Sequence, residues 1–160
     1  MLKDRVASAK NPAENEPDDH HQYDAIVTVQ PTTEMMSRQG LPNFVGVSAA
    51  TTGSRGLCMN MVTIPPGGQA VPHYHDGFET AIYLLQGRLE TLYGEGLRQS
   101  VINEAGDFLF IPPNVPHQPR NLSGTEPAIA IITRNDPREQ ESVVLYDPLA
   151  SHHQGGLVSE

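Results

Sequence analysis

Short apolar runs recur along the whole chain, separated by clusters of glycine, proline and polar residues. The runs at 88–93 and 97–102 alternate polar and apolar residues, which is typical of strands with one buried face. Other runs are continuously apolar and predict buried strands. The predicted strands are 23–29, 43–49, 57–64, 80–85, 88–93, 97–102, 108–111, 128–133 and 143–146. The pattern predicts an all-β fold, with a single helical turn over 32–39.

The chain divides into three parts by composition. Residues 1–22 are polar, without an apolar period, and are expected to form a flexible arm. Residues 23–147 carry all the strand patterns, and residues 148–160 form a loose tail. Glycine-containing stretches at 51–56 and 94–96 predict two hairpins. A chain of 160 residues predicts one domain, and many short strands predict a jelly-roll barrel with a ligand at its mouth.

Two histidines in one predicted strand are the first candidate for chemistry. His73 and His75 are two residues apart, so an extended segment directs both imidazoles to one face. Pro72 disfavours a helix there. Glu79 follows a bend at 76–77, and His117 follows the proline-rich turn that ends the strand at 108–111.

Imidazole and carboxylate together suit one divalent transition metal: iron, manganese, nickel, zinc or copper. His73, His75, Glu79 and His117 are therefore the predicted metal ligands. Four remaining histidines lie in polar terminal stretches and are interpreted as solvated: His20, His21, His152 and His153.

Both stretches resemble the two sequence motifs of the cupin superfamily. The first motif, over 67–87, is matched by Gly67, His73, His75, Glu79 and Gly87. The second motif, over 106–121, is matched by Gly106, Pro112, His117 and Asn121. Two departures are visible: seven residues instead of six separate Glu79 from Gly87, with Thr80 at the alternative position, and Asn114 replaces a glycine.

The resemblance implies a double-stranded β-helix, the single cupin barrel, with a metal held by three histidines and a glutamate. Because of the spacing departure at Glu79, a three-histidine site with water as the further ligand is the alternative. Cupins include dioxygenases, isomerases, decarboxylases, sensors and storage proteins, so the motifs predict a fold more sharply than a reaction.

Alternation along the strand at 80–85 assigns neighbours to the site. If Glu79 faces the barrel interior, Tyr83 does so too and supplies a hydroxyl beside the metal, although core packing explains Tyr83 equally well. Glu79 and Tyr83 are thus the candidate catalytic residues. Four further apolar side chains are interpreted as barrel core or pocket wall: Met59, Met61, Phe108 and Phe110.

Charge and composition narrow the partners. A net charge of −9 argues against nucleic acid and anionic membranes. Cys58 is the single cysteine and cannot form an intrachain disulfide. No apolar signal-peptide core or membrane-spanning run is visible, so a cytoplasmic location is expected. The arginines Arg88, Arg98 and Arg134 occupy positions typical of a solvated face, which favours an unphosphorylated substrate.

These observations favour a small-molecule metalloenzyme of the dioxygenase or sugar/keto isomerase class. The alternative is a non-catalytic ligand-binding or sensing module with a structural metal. A homodimer is also expected, since single-barrel cupins commonly pair, with the apolar segment Ala25–Val29 as the candidate edge.

Overall fold

The computed structural model describes residues 25–138, 140 and 142–150. The arm at 1–22, most of the tail and the four terminal histidines lie outside the described residues. The strands are β1 (Met35–Met36), β2 (Pro42–Val47), β3 (Cys58–Ile64), β4 (His73–His75), β5 (Thr80–Gln86), β6 (Arg88–Tyr93), β7 (Gln99–Glu104), β8 (Phe108–Ile111), β9 (His117–Asn121), β10 (Ala128–Arg134) and β11 (Val143–Leu145). One helical turn, α1 (Ala49–Thr52), and one 3-10 turn (Glu95–Leu97) complete the elements.

The strands form two antiparallel sheets, which confirms the predicted all-β jelly-roll class. The six-stranded sheet has the order β1-β2-β3-β10-β5-β8, and the five-stranded sheet has the order β11-β4-β9-β6-β7. Strand β10 lies between β3 and β5, so strands distant in sequence alternate across the sheet. The core packs between the sheets and includes Val62 and Leu84 from one and Leu89 from the other. No helix in this described part of the chain is long and apolar enough to cross a bilayer.

Three local predictions differ from the structure. No strand forms at Ala25–Val29, where Ile26 is fully exposed, and residues 23–24 lie outside the described part. The predicted helical turn at 32–39 contains the short strand β1 instead. The predicted hairpin turn at 51–56 overlaps α1 at residues 51–52. Ser48 caps the N-terminus of α1, and Gly53 ends it at φ 72°. Strands β2 and β3 still pair, as predicted.

The alternation of β5 is opposite to the predicted phase. Thr80 and Leu84 are each only 2% exposed and face the interior, whereas Leu85 is 48% exposed. The paired strand β8 has the same phase, with Ile111 buried opposite Thr80 and Phe108 exposed opposite Tyr83. Because side chains alternate with a period of two, this shift of one residue moves every predicted inward side chain of β5 to the outer face.

Candidate metal centre

The three motif histidines lie on two adjacent strands of the five-stranded sheet. Strand β4 carries His73 and His75, and His117 begins β9 directly opposite His73. All three are buried, with exposed fractions of 3–4%. The predicted extended conformation of this segment is therefore confirmed, and it directs both imidazoles of β4 to the same side.

Asn114 fixes the turn that leads into His117. It adopts φ 63°, the left-handed conformation that asparagine tolerates and that the family's glycine would adopt freely. Its N–H donates to the carbonyl of His75 over 3.0 Å, and its side-chain oxygen accepts from the N–H of Gly77 over 2.9 Å. These two bonds hold the turn before β9 against the end of β4.

The imidazole rings converge on one point. The ring centroids of His73 and His117 are 4.3 Å apart. The ring centroid of His75 lies 5.2 Å from that of His73 and 5.4 Å from that of His117. One nitrogen from each ring lies within 4.8 Å of the others, a spacing that allows one ion to contact all three. In the described residues this group contains no carboxylate.

Backbone carbonyls set the tautomer of two of these histidines. Nδ1 of His73 lies 2.8 Å from the carbonyl oxygen of Val71, and Nδ1 of His117 lies 2.9 Å from that of Val115. A carbonyl only accepts, so each Nδ1 carries the proton and donates it. Nε2 of each ring then presents a lone pair to the cluster, the arrangement that protein metal ligands adopt.

The cluster is held in the neutral state at physiological pH. Burial is the main cause: it lowers the pKa of His73 to about 3, that of His75 to about 2 and that of His117 to about 4. For His75, the positive charge of Arg134 is the second cause. Neutral imidazoles are the form that binds metal.

The predicted fourth ligand lies outside this group. Glu79 precedes β5, is exposed, and uses its backbone N–H to bond the side chain of Asn135 over 2.8 Å. Thr80 takes the inward position instead, and six residues separate it from Gly87, the spacing of the family motif. The prediction that Glu79 faces the interior is therefore wrong, and the structure brings together the three-histidine alternative.

Tyr83 and the predicted pocket walls also lie on the outer face. Tyr83 packs on the ring of Phe108 with centroids 4.7 Å apart, and Phe108 is 82% exposed. Met59 and Phe110 line the same outer groove. These side chains do not surround the histidines, so the hydroxyl expected beside the metal is not supplied by Tyr83.

Arg134 is the site residue that the sequence interpretation missed. It is 4% exposed rather than solvated, and it ends β10 opposite Thr80. Its Nη2 donates to Nε2 of His75 over 3.0 Å, and its Nε donates to the hydroxyl of Thr80 over 3.2 Å. Continuing the inward alternation from Ala128 and Ala130 along β10 would have placed Arg134 inside.

A partly open cavity extends from the histidines between the two sheets. Its free volume is about 50 Å³, room for about four water molecules. Most of its wall is aliphatic. The polar lining residues are the three histidines, Thr80, Arg134, Gln39, Thr91, Asn103 and Asp107. A larger outer cleft of about 360 Å³ shares His117 and Ile111 with this cavity. The donor set is soft enough for a transition metal and fits one ion at the three Nε2 atoms.

Comparison with known families decides the classification. Residues 60–133 match the cupin domain family. This range contains His73 and His75 of the first motif and His117 of the second. This chain contains a cupin domain. The predicted resemblance is thereby confirmed.

Solved structures show that the cupin domain shares its fold with proteins of low sequence identity. Oxalate decarboxylase of Lactobacillus farciminis superposes with a TM-score of 0.61 and 19% identity over 78% of this chain and 39% of the other. A Klebsiella pneumoniae protein with a double-stranded beta-helix domain superposes with a TM-score of 0.56 and 17% identity. The superposition covers 69% of this chain and 88% of the other. At these identities the likeness concerns the fold.

Sequence relatives are dioxygenases. The 3-hydroxyanthranilate 3,4-dioxygenase of Xanthomonas euvesicatoria pv. vesicatoria (strain 85-10) is 28% identical over 94 residues, 58% of this chain and 52% of the relative. That of Xanthomonas oryzae pv. oryzae (strain MAFF 311018) is 27% identical over 92 residues, with the same coverage. The match thus spans about half the length of these curated relatives.

Proposed function

We propose that this cupin domain is a metal-dependent enzyme that acts on a small organic molecule. The observation that carries the proposal is the buried group of His73, His75 and His117, whose three nitrogens lie within 4.8 Å. Burying polar rings destabilises a fold unless they have partners. Arg134 already donates to Nε2 of His75, and an ion would give the three rings one shared partner.

Oxidation by dioxygen is the reaction class we favour. The relatives of similar sequence are named dioxygenases. Isomerisation through the metal would use Glu79 or metal-bound water as the base that moves a proton. Glu79 is exposed and lies outside the histidine group, so bound water would have to take this role. Low imidazole pKa values also make the three histidines poor proton acceptors near neutral pH.

The chain's own residues would bind and orient the reactants. The histidines would hold the ion through Nε2, and two of them are fixed by the Nδ1 bonds to Val71 and Val115. The ion would supply open coordination positions and redox chemistry. The aliphatic wall of the cavity excludes bulk water, which strengthens every polar contact formed inside.

The cavity sets the scale of the substrate. About 50 Å³ beside the histidines accepts a few non-hydrogen atoms, whereas the outer cleft that shares His117 accepts a larger ring. A substrate with its reacting atoms in the cavity and its remainder in the cleft fits both spaces.

The homodimer and the cytoplasmic location stay predictions.

Turnover by apo and metal-loaded protein tests the proposal. The protein is stripped with a chelator, reloaded separately with Fe(II), Mn(II), Ni(II), Zn(II) or Cu(II), and assayed for oxygen consumption with 3-hydroxyanthranilate and with small hydroxy and keto acids. We expect consumption only with a redox-active metal, and none in His117→Ala. Equal rates in apo and loaded protein would exclude the metal mechanism. Tight ligand binding without turnover would favour the sensing module.

A further inference from the structure

Gln39 is a buried glutamine whose side-chain oxygen has no hydrogen-bond partner among the described residues. It is 6% exposed and lines the same cavity as the three histidines. Its Oε1 atom is buried, and no donor in the described part of the chain bonds to it. Glutamine is mostly exposed in proteins, and burying a carboxamide without a partner destabilises a fold. This side chain is therefore suited to a partner that enters the cavity from outside.

The turn between β1 and β2 directs Gln39 inward. The N–H of Gly40 donates to the carbonyl of Ser37 over 2.9 Å, and the N–H of Leu41 donates to the hydroxyl of Ser37 over 3.1 Å. Gly40 adopts φ 80°, a conformation that favours glycine. The turn is thus held by its own hydrogen bonds, and both Gln39 and Leu41 line the cavity.

Two hydrogen bonds connect this turn to the histidine group. The N–H of Val71 donates to the backbone carbonyl of Gln39 over 2.8 Å. The carbonyl of Val71 in turn accepts from Nδ1 of His73 over 2.8 Å. Val71 therefore fixes the backbone of Gln39 relative to the imidazole of a candidate metal ligand, at the metal end of the cavity.

A second unpartnered amide lies towards the other end of the cavity. Oδ1 of Asn103 is also buried without a partner among the described residues, and Asn103 lines the cavity. Asn103 pairs with Leu89, which is four residues along β6 from Tyr93, the residue opposite His117. Four residues span roughly 13 Å in a strand. Of these two amides, Gln39 is the one at the metal end.

We propose that Gln39 is a specificity-determining residue of the metal centre, whose side-chain oxygen accepts a hydrogen bond from a hydroxyl group of the substrate. This inference rests on the proposed function and adds a substrate class, small hydroxyl-bearing molecules. A hydroxyl group supplies the donor that Oε1 lacks and keeps lone pairs for the metal. An analogue with a methyl group in place of the hydroxyl would leave the buried amide unpaired, and such sites reject the analogue strongly.

The proposal predicts opposite effects on stability and on binding. An apolar replacement of Gln39 removes a buried amide without a partner, so the apo protein should become more stable. The same replacement should remove the preference for a hydroxyl group in the ligand. A glutamine that only supports the fold would behave in the reverse way, because its loss would lower stability and leave the preference intact.

Two ligands of the same size isolate the hydroxyl group. Hydroxyacetone and 2-butanone share the ketone and the number of non-hydrogen atoms, and they differ by a hydroxyl in place of a methyl group. Each is titrated into Co(II)-loaded protein with visible absorption as the readout, and the ratio of the two dissociation constants is determined. Because the metal itself can favour a hydroxyl group, the test is the change of this ratio between wild type and variants.

Three variants complete the titration. Gln39→Met keeps the length of the side chain without its amide, and it should reduce the preference for hydroxyacetone roughly 5- to 50-fold. It should also raise the unfolding temperature of the apo protein by roughly 2–6 °C. Gln39→Leu should act in the same direction on both quantities. Gln86→Met, the same substitution at an exposed glutamine at the end of β5, should leave the preference unchanged.

NMR spectra of Zn(II)-loaded wild type give a measurement that needs no substitution. The side-chain NH₂ signals of Gln39 should shift when hydroxyacetone is added and stay in place with 2-butanone. The corresponding signals of Gln86 should respond to neither ligand. Gln39 signals that ignore hydroxyacetone would contradict the proposal.

The outcomes separate this inference from the proposed function. Protein that binds Co(II) but shows the same ligand ratio in wild type, Gln39→Met and Gln39→Leu would overturn the role of Gln39 alone. Lower stability of both variants with an unchanged ratio would assign Gln39 to the fold and overturn it equally. Wild-type protein that binds neither Co(II) nor Zn(II) would overturn the proposed function, and the role of Gln39 with it.

Discussion

Thr80 faces the cavity, and its neighbour Glu79 faces solvent. Thr80 is 2% exposed and accepts a hydrogen bond from Arg134, whereas Glu79 is exposed. The residue at the family's glutamate position is therefore a threonine, so the carboxylate that usually completes a cupin metal site is replaced here by a hydroxyl bonded to a guanidinium. In the proposed metal centre, this relationship leaves three histidines and no carboxylate as the candidate ligands among the described residues.

Thr80→Glu should restore a carboxylate ligand. The new side chain would lie in the same cavity as the histidines, so metal binding should tighten. The larger side chain must also fit a packed position, and we expect a stability loss of about 1–3 kcal/mol. Isothermal titration with Zn(II) measures the first effect. The isosteric Thr80→Val, which offers no ligand, is the control and should not tighten the metal.

Tyr83→Phe should leave turnover and metal affinity unchanged. Its ring packs on Phe108 on the outer face, away from the histidines, so the hydroxyl touches no reacting atom. Tyr83→Ala removes the ring contact and should reduce stability by about 0.5–1.5 kcal/mol beyond the loss of buried area. Steady-state kinetics and urea unfolding distinguish the two effects. A large loss of kcat in Tyr83→Phe would return Tyr83 to the catalytic site.

Apo protein should lose stability as the pH falls from about 6.5 to about 4. In this window the imidazoles of the unfolded chain take up protons, while the folded pKa values of about 4, 3 and 2 keep His117, His73 and His75 neutral. The unfolded state therefore gains protons that the folded state does not bind. Each histidine contributes up to about 1.4 kcal/mol per pH unit.

Urea unfolding of the apo protein at several pH values measures this slope. His117→Asn should reduce the slope of the free energy of unfolding against pH by the contribution of one histidine. A stability that is constant from pH 6.5 to 4.5 would contradict the neutral cluster.

A homodimer stays a prediction, and exposed apolar residues offer a test. Ile26 is fully exposed and Val27 is 54% exposed, in the segment where the sequence predicts a strand. If that segment pairs with a second copy, Ile26→Asp with Val27→Asp should give a monomer by light scattering at micromolar concentration. Leu149→Asp, at an exposed apolar position elsewhere, should keep the wild-type mass. A monomeric wild-type protein would refute the dimer.

The sequence predicts the sheet framework and the three histidines better than it predicts the face of β5. Spacing alone places His73 and His75 on one side of a strand, and the turn at Asn114 delivers His117. The residues 81–85 are all apolar, so their pattern does not reveal which of them point inward. Only the six-residue spacing to Gly87 favours Thr80 over Glu79 as the inward residue, and the two choices differ by one residue.

Arg134 illustrates a second limit. A terminal arginine on a strand usually reaches solvent, and its burial depends on Thr80 and His75, which lie 54 and 59 residues away in sequence. Contacts of that range arise only when β10 pairs with β5 and the two sheets pack together. The strand predicted at Ala25–Val29 does not form. Its apolar residues have no neighbouring strand to pair with in the described part of the chain.

Metal stoichiometry in three variants tests the central claim most directly. Wild type, His75→Ala, His117→Ala and Glu79→Ala are purified identically, loaded with Zn(II), passed through a desalting column and analysed by mass spectrometry for metal per chain. A three-histidine centre predicts one ion per chain in wild type and in Glu79→Ala, and almost none in the two histidine variants. Full occupancy in His75→Ala, or an empty site in Glu79→Ala, would contradict it.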